Sequence, residues 1–553
     1  MKKIVSGAFV LVTMAACGGG GGSPGTVTPP TPDPNPVYTP PAHIASTSVE
    51  RQCAAPRPAG TLNPFNNQPY NDAAGSLTAE KMWIRSFINE TYLWYRDVGD
   101  VDPSKFVTGA SVSYARPSDN VLVNVTLGAN YDALDAYFNT KRTTATTNSG
   151  KPVDKFHFTY PTTEWANMSL TGSSVGFGIQ VALLASTPPR VAVVAYADPG
   201  TPAAENNLSR GASFVAINGI SVANGDPAIL NEALFSPVAG RSYNFTVRDR
   251  GASADRSFSM VPRTVTSVPV QNVRTLAAPH HEVGYILFND HIATAESQLV
   301  AAVNQLKAAN NGAGIKELVL DLRYNGGGYL DIAGQMAYMI AGSAPTAGKV
   351  FEKLSFNDKN PFGLTEAEAR TPFHSTTLGF SSPQGAALPQ LNLGRVFVLT
   401  TGGTCSASEA IMNGLRGVGV TVVQIGATTC GKPYGFIPED NCGTTYFAVQ
   451  FKGVNQLGYG DYSDGFIPGG TAGAANNLPG CAIADDFNHA LGDVGEASIA
   501  AALRYRANGS CAPIAASAAA RTFSRVFDHA PMLGRSLMRE NRIVRPDAGR
   551  LAR

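Results

Sequence analysis

Between residues 280 and 508, short apolar runs alternate with longer amphipathic segments. The apolar runs have the length and composition of buried strands and lie at residues 283–288, 317–322, 395–401 and 420–425. The amphipathic segments have helical spacing and lie at residues 294–309, 330–340, 409–417 and 496–507. Strands that alternate with helices are typical of a parallel sheet covered by helices. We therefore predict an α/β fold for this part of the chain.

Three further regions precede this core. Residues 18–47 are rich in glycine and proline and are predicted to be a flexible tether. Residues 48–165 are predicted to be a small helical domain, with Thr78 as the N-cap of a helix that carries an aromatic stripe. Residues 168–265 change to short strands and turns.

The N-terminus has the pattern of an export signal. Two lysines precede an apolar run at residues 4–13, and small residues then lead to Cys17. This ending resembles a bacterial lipobox, which predicts that residues 1–17 are a signal peptide and that Cys17 carries a lipid. The expected location is the cell envelope, with a lipid anchor in the outer membrane that faces the periplasm or the cell surface. An ordinary secretory signal with an incidental cysteine is the alternative.

Without Cys17 an even number of cysteines remains, which in an exported protein indicates disulfides. They are Cys53, Cys405, Cys430, Cys442, Cys481 and Cys511. The sequence does not decide their pairing, and Cys405 as a thiol nucleophile is a competing interpretation. The net charge of +1 gives no global indication of a nucleic-acid partner. A basic tail is predicted for residues 514–553.

A turn of small residues, 402–408, lies between the apolar run at 395–401 and the helical segment that follows it. Such a turn raises a hydroxyl clear of a sheet beside the open N–H groups of a helix N-terminus, which suits a serine nucleophile. We predict that Ser406 is this nucleophile. Ser408 and Thr404 are rivals, although Ser408 is better explained as a cap of the helix.

A serine hydroxyl needs a base to accept its proton. Lys432 follows an apolar strand among glycine and proline residues, and burial can lower a lysine pKa from about 10.4 towards neutrality. We predict that Lys432 is the base. His374 and His489 are the histidines to test for a Ser-His-Asp site, but neither lies in a recognisable constellation.

Three glycines, residues 326–328, end the strand at 317–322. Glycine permits positive φ and close approach of the backbone, as an oxyanion hole requires. The predicted donors are Gly327, Gly328 and the N–H of Ala407, with an ion pair between Asp321 and Arg323 that supports the turn. The spacing lacks the glycine patterns of nucleotide sites.

The motifs LDLRYNGGGYL, GGTCSASEAIMNGLR and GATTCGKPYG, in this order, resemble the S41 family of C-terminal processing peptidases. The resemblance implies a ClpP/crotonase-like α/β core at residues 280–508 and a Ser-Lys dyad formed by Ser406 and Lys432. It also implies that an amide of Gly327 or Gly328 helps to bind the oxyanion. Many members carry a glutamine four residues after the lysine, where this chain has Phe436; Tyr434 could orient Lys432 instead.

Residues 168–265 resemble a PDZ domain. The loop that would receive a peptide carboxylate contains Gly176, Phe177, Gly178 and Ile179. The chain departs from many PDZ domains of this class at residues 211–212, where Gly-Ala replaces Gly-Asp. A spacer without a ligand is the alternative.

These patterns together predict an envelope-anchored serine endopeptidase that acts on protein or peptide substrates, whose C-terminal tails bind the PDZ domain. No metal, cofactor or nucleic-acid partner is expected. A non-catalytic peptide-binding or scaffold lipoprotein on the same fold is the alternative, and the replacement at Phe436 favours it. A lipase or esterase is disfavoured because Ser406 lacks a GxSxG pattern.

Overall fold

A computed structural model describes residues 38–469 and 474–511 and the backbone of 542–543. All the elements named below belong to one compact unit, residues 42–553. The predicted signal peptide, Cys17, most of the tether and most of the C-terminal tail lie outside the described residues. Within the described residues, no helix is long and apolar enough to cross a bilayer.

The region before residue 167 mixes helices with short strands. Its elements are β1 (Gln52–Cys53), β2 (Ala73–Ala74), α1 (Leu77–Thr91), β3 (Ser111–Ala115), β4 (Leu122–Thr126), α2 (Asn130–Asn139), β5 (Phe158–Pro161) and α3 (Thr162–Ala166). The N-cap of α1 is Ser76, whose hydroxyl accepts a hydrogen bond from the Ala79 N–H at 3.1 Å. Thr78, the predicted cap, lies inside the first turn. Ser76 takes the role because it has the extended backbone that an N-cap needs.

The aromatic stripe of α1 is buried, and it shares one hydrophobic core with the helices and strands of the C-terminal region. Trp83 and Phe87 belong to the same buried cluster as Ile286 and Leu320. The N-terminal region is therefore packed against the predicted peptidase core.

Residues 167–266 form a separate strand-rich layer. Its elements are β6 (Ser173–Gly176), β7 (Ile179–Ala185), β8 (Val191–Ala197), α4 (Pro202–Glu205), β9 (Ser213–Ile217), β10 (Ile220–Ser221), α5 (Pro227–Phe235), β11 (Tyr243–Arg248), β12 (Arg256–Met260) and β13 (Arg263–Thr266). The main sheet has the order β12-β11-β9-β8-β7, with β10 paired to β9. The strands β6 and β13 pair with each other in a separate two-stranded sheet. These elements enclose a hydrophobic core of their own.

The C-terminal region begins at residue 270. Up to the nucleophile helix its elements are β14 (Val270–Thr275), β15 (Val283–Phe288), α6 (Ala295–Ala308), β16 (Glu317–Asp321), β17 (Gly328–Tyr329), α7 (Leu330–Ala341), α8 (Ser343–Thr346), β18 (Val350–Phe356), β19 (Arg370–Pro372), β20 (Arg395–Thr400) and α9 (Ala407–Gly417). The remaining elements are β21 (Thr421–Gly426), β22 (Tyr434–Gly435), β23 (Glu439–Asn441), β24 (Thr444–Phe447), β25 (Phe451–Val454), β26 (Ile467–Pro468), β27 (Asn477–Leu478), β28 (Gly480–Ala482), α10 (Ala497–Asn508) and β29 (Arg542–Ile543).

The central sheet has the order β14-β15-β16-β20-β21-β28. Every neighbouring pair is parallel except β14 with β15. This confirms the predicted α/β class. Because parallel strands place their carboxyl ends at one edge, the turns after β15, β16, β20 and β21 meet there. Those turns, with the residues that immediately follow them, contain all the residues predicted to act in catalysis.

Candidate active site

Ser406 lies at the junction of β20 and α9, in a conformation that side chains rarely adopt. Its φ is +63° and its ψ is −113°, and the residue has no exposed surface. Among the described residues, its Oγ has no hydrogen-bond partner. A strained backbone that holds an uncommitted hydroxyl at a helix N-terminus is the arrangement expected of a nucleophile.

The hydroxyls of the two rivals are engaged. Thr404 Oγ1 donates to the carbonyl of Leu322 at 2.8 Å, and Ser408 Oγ donates to the carbonyl of Asn325 at 3.1 Å. The sequence suggested that Ser408 caps α9, but in the structure its hydroxyl does not do so. It ties the nucleophile turn to the glycine turn, because that turn lies close enough to offer a carbonyl.

The buried carboxylate of Glu409 connects the nucleophile turn with the lysine loop. Its Oε2 accepts the backbone N–H groups of Ser406 at 2.9 Å and Lys432 at 2.8 Å. Its Oε1 accepts the N–H of Gly431 at 2.9 Å and the hydroxyl of Thr429 at 2.5 Å. Burial raises the pKa of Glu409, and these hydrogen bonds oppose the rise. The sequence suggested only an interaction with the helix dipole, because Thr429, Gly431 and Lys432 lie 20 or more residues further along the chain.

Lys432 is fully buried and contacts aromatic rings. Its Nζ lies 4.0 Å from the centroid of the Phe436 ring and 4.6 Å from that of Phe156. Phe436 therefore lies beside the amine, at the position where the resemblance to the S41 family led us to expect a glutamine. Tyr434, the other suggested partner, packs against Trp94 and bonds to Ser463, and burial raises its pKa to about 12. Phe156 was missed because it lies in a region where the sequence showed no chemical pattern.

The glycine turn after β16 is organised by the side chain of Asn325. The N–H of Gly327 donates to Asn325 Oδ1 at 2.9 Å, and Asn325 Nδ2 donates to the carbonyl of Phe288 at 2.9 Å. Gly328 has a φ of +133°, and a Cβ there would lie 2.5 Å from the carbonyl oxygen of His291. The N–H of Ala407 is in the first position of α9, where the helix itself offers no acceptor. Since the N–H of Gly327 is engaged, Gly328 and Ala407 are the better candidates for oxyanion donors.

His291 is a buried histidine at this turn that sequence reasoning did not select. Its Nδ1 lies 2.9 Å from Asn325 Oδ1, and burial lowers its pKa to about 3. Because that oxygen can only accept, Nδ1 carries the proton of a neutral ring and Nε2 is left as an acceptor. The available signal was its place just after β15, at the carboxyl edge of the sheet.

The two histidines suggested by the sequence each contact an aspartate. His374 Nε2 lies 2.8 Å from Asp331 Oδ1, and His489 Nδ1 lies 2.6 Å from Asp486 Oδ2. His489 is close to half exposed, with 43% of its side chain accessible, unlike the fully buried Ser406.

The predicted ion pair between Asp321 and Arg323 is present at 2.7 Å and is buried. Arg323 also contacts Asp485 at 2.6 Å and Glu496 at 2.8 Å. Arg210, from the strand-rich layer, joins the same group through Asp485 at 2.6 Å. Buried charged side chains therefore connect the base of the glycine turn to the strand-rich layer formed by residues 167–266.

Six cysteines form three disulfides, which are Cys53–Cys442, Cys405–Cys430 and Cys481–Cys511. Cys405 is therefore bonded to another cysteine and is not a free thiol. The sulfur atoms of Cys405 and Cys430 and a Glu409 oxygen lie within 4.8 Å of one another. The disulfide accounts for this cluster, since sulfur atoms bonded to each other are not thiolate ligands.

The loop with residues 176–179 borders a cavity of about 140 Å³ between β7 and α5. Ile179, Gln180 and Val181 line one side, and Leu234 and Phe235 line the other. The ring of Phe177 packs inward against Tyr243 and Phe245. Tyr324 and Gly326 of the glycine turn line the same cavity, so the groove extends to the candidate active site.

Comparison with family models matches residues 282–435 to the model described as "Peptidase family S41". Among solved structures, one named as an S41 protease from Bacteroides fragilis is 21% identical, with a TM-score of 0.55, and covers 77% of this chain and 97% of that chain. A photosystem II D1 C-terminal processing protease is 16% identical, with a TM-score of 0.39, and covers 72% and 93%. Comparison with the curated proteins gave no match.

The first of these structures shows that most of the chain shares its fold with a solved protein. The family match includes the glycine turn, the Ser406 turn and the Lys432 loop. Residues 282–435 therefore form a peptidase family S41 domain.

Proposed function

We propose that this protein is a serine endopeptidase in which Ser406 attacks a peptide carbonyl and Lys432 accepts the hydroxyl proton. One observation carries the proposal: the backbone N–H groups of Ser406 and Lys432 donate to the same oxygen of the buried Glu409 carboxylate, while the buried Ser406 hydroxyl has no hydrogen-bond partner among the described residues. Burial disfavours the ammonium form of a lysine, which favours its action as a base. The faces of Phe436 and Phe156 stabilise the positive charge that the amine acquires on accepting the proton.

In the proposed reaction, the Ser406 oxygen bonds to the scissile carbonyl carbon and its proton moves to the Lys432 amine. The N–H groups of Gly328 and Ala407 stabilise the oxyanion. The lysine ammonium then returns the proton to the leaving amine, and water hydrolyses the acyl-enzyme by the same route.

Cleavage of a denatured protein tests the proposal, with products identified by mass spectrometry. We expect Ser406→Ala and Lys432→Ala each to lower the rate by 10³-fold or more. Ser408→Ala is the matched control and should keep substantial activity, because its hydroxyl is engaged with a carbonyl. Full activity of Lys432→Ala would refute the dyad. Peptide binding without any cleavage product in the wild type would favour the scaffold alternative.

We also propose that residues 168–265 act as a PDZ domain that binds the C-terminal tail of the substrate. Two features support this: β7 is the last strand in its sheet path, and the cavity between β7 and α5 reaches the glycine turn. A peptide can add beside such a strand, with its carboxylate received by the N–H groups of residues 176–179. Calorimetry with a peptide and its C-terminal amide tests this, and equal affinity of the two would refute carboxylate recognition.

Export and lipid attachment at Cys17 are proposals as well. The pairing of all the other cysteines supports them, because disulfides persist in oxidising compartments. Incorporation of labelled palmitate into the wild type, and its loss in Cys17→Ser, is the expected result.

A further inference from the structure

The disulfide Cys405–Cys430 joins the two loops that carry the proposed nucleophile and base. Cys405 immediately precedes Ser406, and Cys430 lies two residues before Lys432. The N–H of Cys430 also donates to the carbonyl of Thr404 at 3.0 Å, so the two segments lie side by side at this point. Neither of the other two disulfides includes a residue of these loops.

The lysine loop has little regular structure of its own. Residues 427–433 are outside helices and strands, and Gly431 has a φ of +83°. The loop is held to the nucleophile turn by the disulfide, by the Cys430 hydrogen bond and by the contacts with Glu409. Of these, the disulfide is the single covalent link.

Breaking the S–S bond would move the lysine loop relative to the nucleophile turn. Two non-bonded atoms pack at about 3.5–4.0 Å, which is further apart than two bonded sulfurs. Cys405 has no exposed surface, so the added separation would fall on the neighbouring backbone. A misplacement of about 1 Å can lower an enzymatic rate by about 100-fold.

We propose that the Cys405–Cys430 disulfide holds Ser406 and Lys432 in register, so that peptidase activity requires its oxidised form. This inference rests on the proposed function of the same two residues. The two cysteines are positioning residues, since they act through the loops that they join.

The redox step requires a dithiol reductant. A thiolate of the reductant attacks the sulfur of Cys430, which is partly exposed, and the S–S bond breaks to release Cys405 as a thiolate. The second thiol of the reductant then displaces Cys430 and becomes the reductant's own disulfide. Two electrons and two protons are transferred from the reductant to the two cysteines.

The experiment uses the full chain with dithiothreitol as the reductant, and alkylation with mass spectrometry identifies the disulfides that are open. We expect reduction of Cys405–Cys430 to lower kcat by about 100-fold while KM changes less than about threefold. The double variant Cys405→Ala/Cys430→Ala should show the low kcat with or without dithiothreitol. The matched control, Cys481→Ala/Cys511→Ala, should respond to dithiothreitol as the wild type does. A wild-type kcat in the Cys405→Ala/Cys430→Ala variant would overturn the proposal.

Hydrogen exchange of the wild-type protein supplies a measurement that does not depend on activity or on the folding of a variant. On reduction, peptides that cover residues 402–409 and 427–435 should exchange faster. Unchanged exchange in both segments when this disulfide is open would overturn the proposal. An oxidised wild type without Ser406-dependent cleavage would refute the proposed function instead, and the exchange result would still decide whether the disulfide holds the loops.

Discussion

At the scale of the residue, hydrogen bonds distinguish Ser406 from its neighbours. Thr404 and Ser408 both donate to carbonyls of the adjacent turn, whereas Ser406 Oγ is buried and unbonded among the described residues. An unbonded buried hydroxyl costs stability. Its presence at a strained backbone position supports the proposed chemical role.

Glu409→Gln tests the link between the nucleophile and the base. Each oxygen of the Glu409 carboxylate accepts two hydrogen bonds. In glutamine an NH₂ group, which is a donor, replaces one of these oxygens, so two of the N–H and O–H donors lose their acceptor. We expect the kcat to fall by about 100-fold or more, since both loops shift. Kinetics on a denatured protein, with circular dichroism as a check of folding, measure this. An unchanged kcat would show that Glu409 does not position the pair.

Phe436→Leu tests the ring beside Lys432. The ring face stabilises the protonated amine by about 0.5–2 kcal/mol, and leucine keeps the site apolar without that attraction. The acid limb of the rate profile should move to lower pH, by about half a unit or more, because the protonated form is favoured less. Rates between pH 5 and pH 9 measure the shift. A shift to higher pH would contradict the assigned role.

At the scale of the element, three turns at the carboxyl edge of the sheet build the site. The turn after β16 supplies Gly328, the turn after β20 supplies Ser406, and the loop after β21 supplies Lys432. Glu409 joins the nucleophile turn to the lysine loop, and Ser408 joins the nucleophile turn to the glycine turn, each by hydrogen bonds to backbone groups. The geometry of the site therefore depends on turn conformation as much as on the side chains that react.

Gly328→Ala tests the glycine turn. The added Cβ would meet the His291 carbonyl oxygen at 2.5 Å, at a φ of +133°. We expect a loss of about 1–3 kcal/mol in the free energy of unfolding and a much lower kcat. Gly312→Ala is the control, because it has a φ of +88° and no atom within 4 Å of the added Cβ. Similar unfolding midpoints and rates for the two variants would contradict the close approach.

At the scale of the whole molecule, buried charges connect the strand-rich layer to the peptidase domain. Asp485 contacts Arg210 of the first region and Arg323 of the second. Burial by itself raises the pKa of Asp485, but the two guanidinium groups outweigh it and hold the pKa below its usual value. The ionised carboxylate therefore stabilises the folded protein at pH values above the ordinary pKa of aspartate. That stabilisation is lost as the pH falls through the lowered pKa.

Urea unfolding tests this contribution. The stability of the wild type should fall below about pH 4, and Asp485→Asn should be less stable at pH 7 by about 3 kcal/mol, with a weaker dependence on acid. An equal dependence of both proteins on pH would assign the acid sensitivity to other groups.

The strand β29, Arg542–Ile543, pairs in parallel with Gly328–Tyr329 beside the proposed oxyanion site. We expect a strand in this place to compete with a substrate backbone. Removal of residues 512–553 should therefore increase the rate of cleavage of a short peptide, and the wild-type rate should fall when a synthetic peptide of residues 538–548 is added. No change in either measurement would contradict competition.

The strands and helices around the site follow from local patterns. The strand predicted at residues 283–288 coincides with β15, and the helix predicted at 294–309 corresponds to α6, Ala295–Ala308. Apolar periodicity determines such elements within one segment of chain. The S41 resemblance was also carried by contiguous motifs, and the family match at residues 282–435 confirms it.

Contacts between distant segments could not be predicted in this way. The sequence left 15 possible pairings of the six cysteines. Only the fold brings Cys405 to Cys430 and Cys53 to Cys442. The contacts of Glu409 with the lysine loop could not be predicted for the same reason. The sequence by itself determined the main strands and helices of the core and the family resemblance, because periodicity and motifs are local. The tertiary structure decided which buried groups share a hydrogen bond, because that depends on segments that meet only when the sheet assembles.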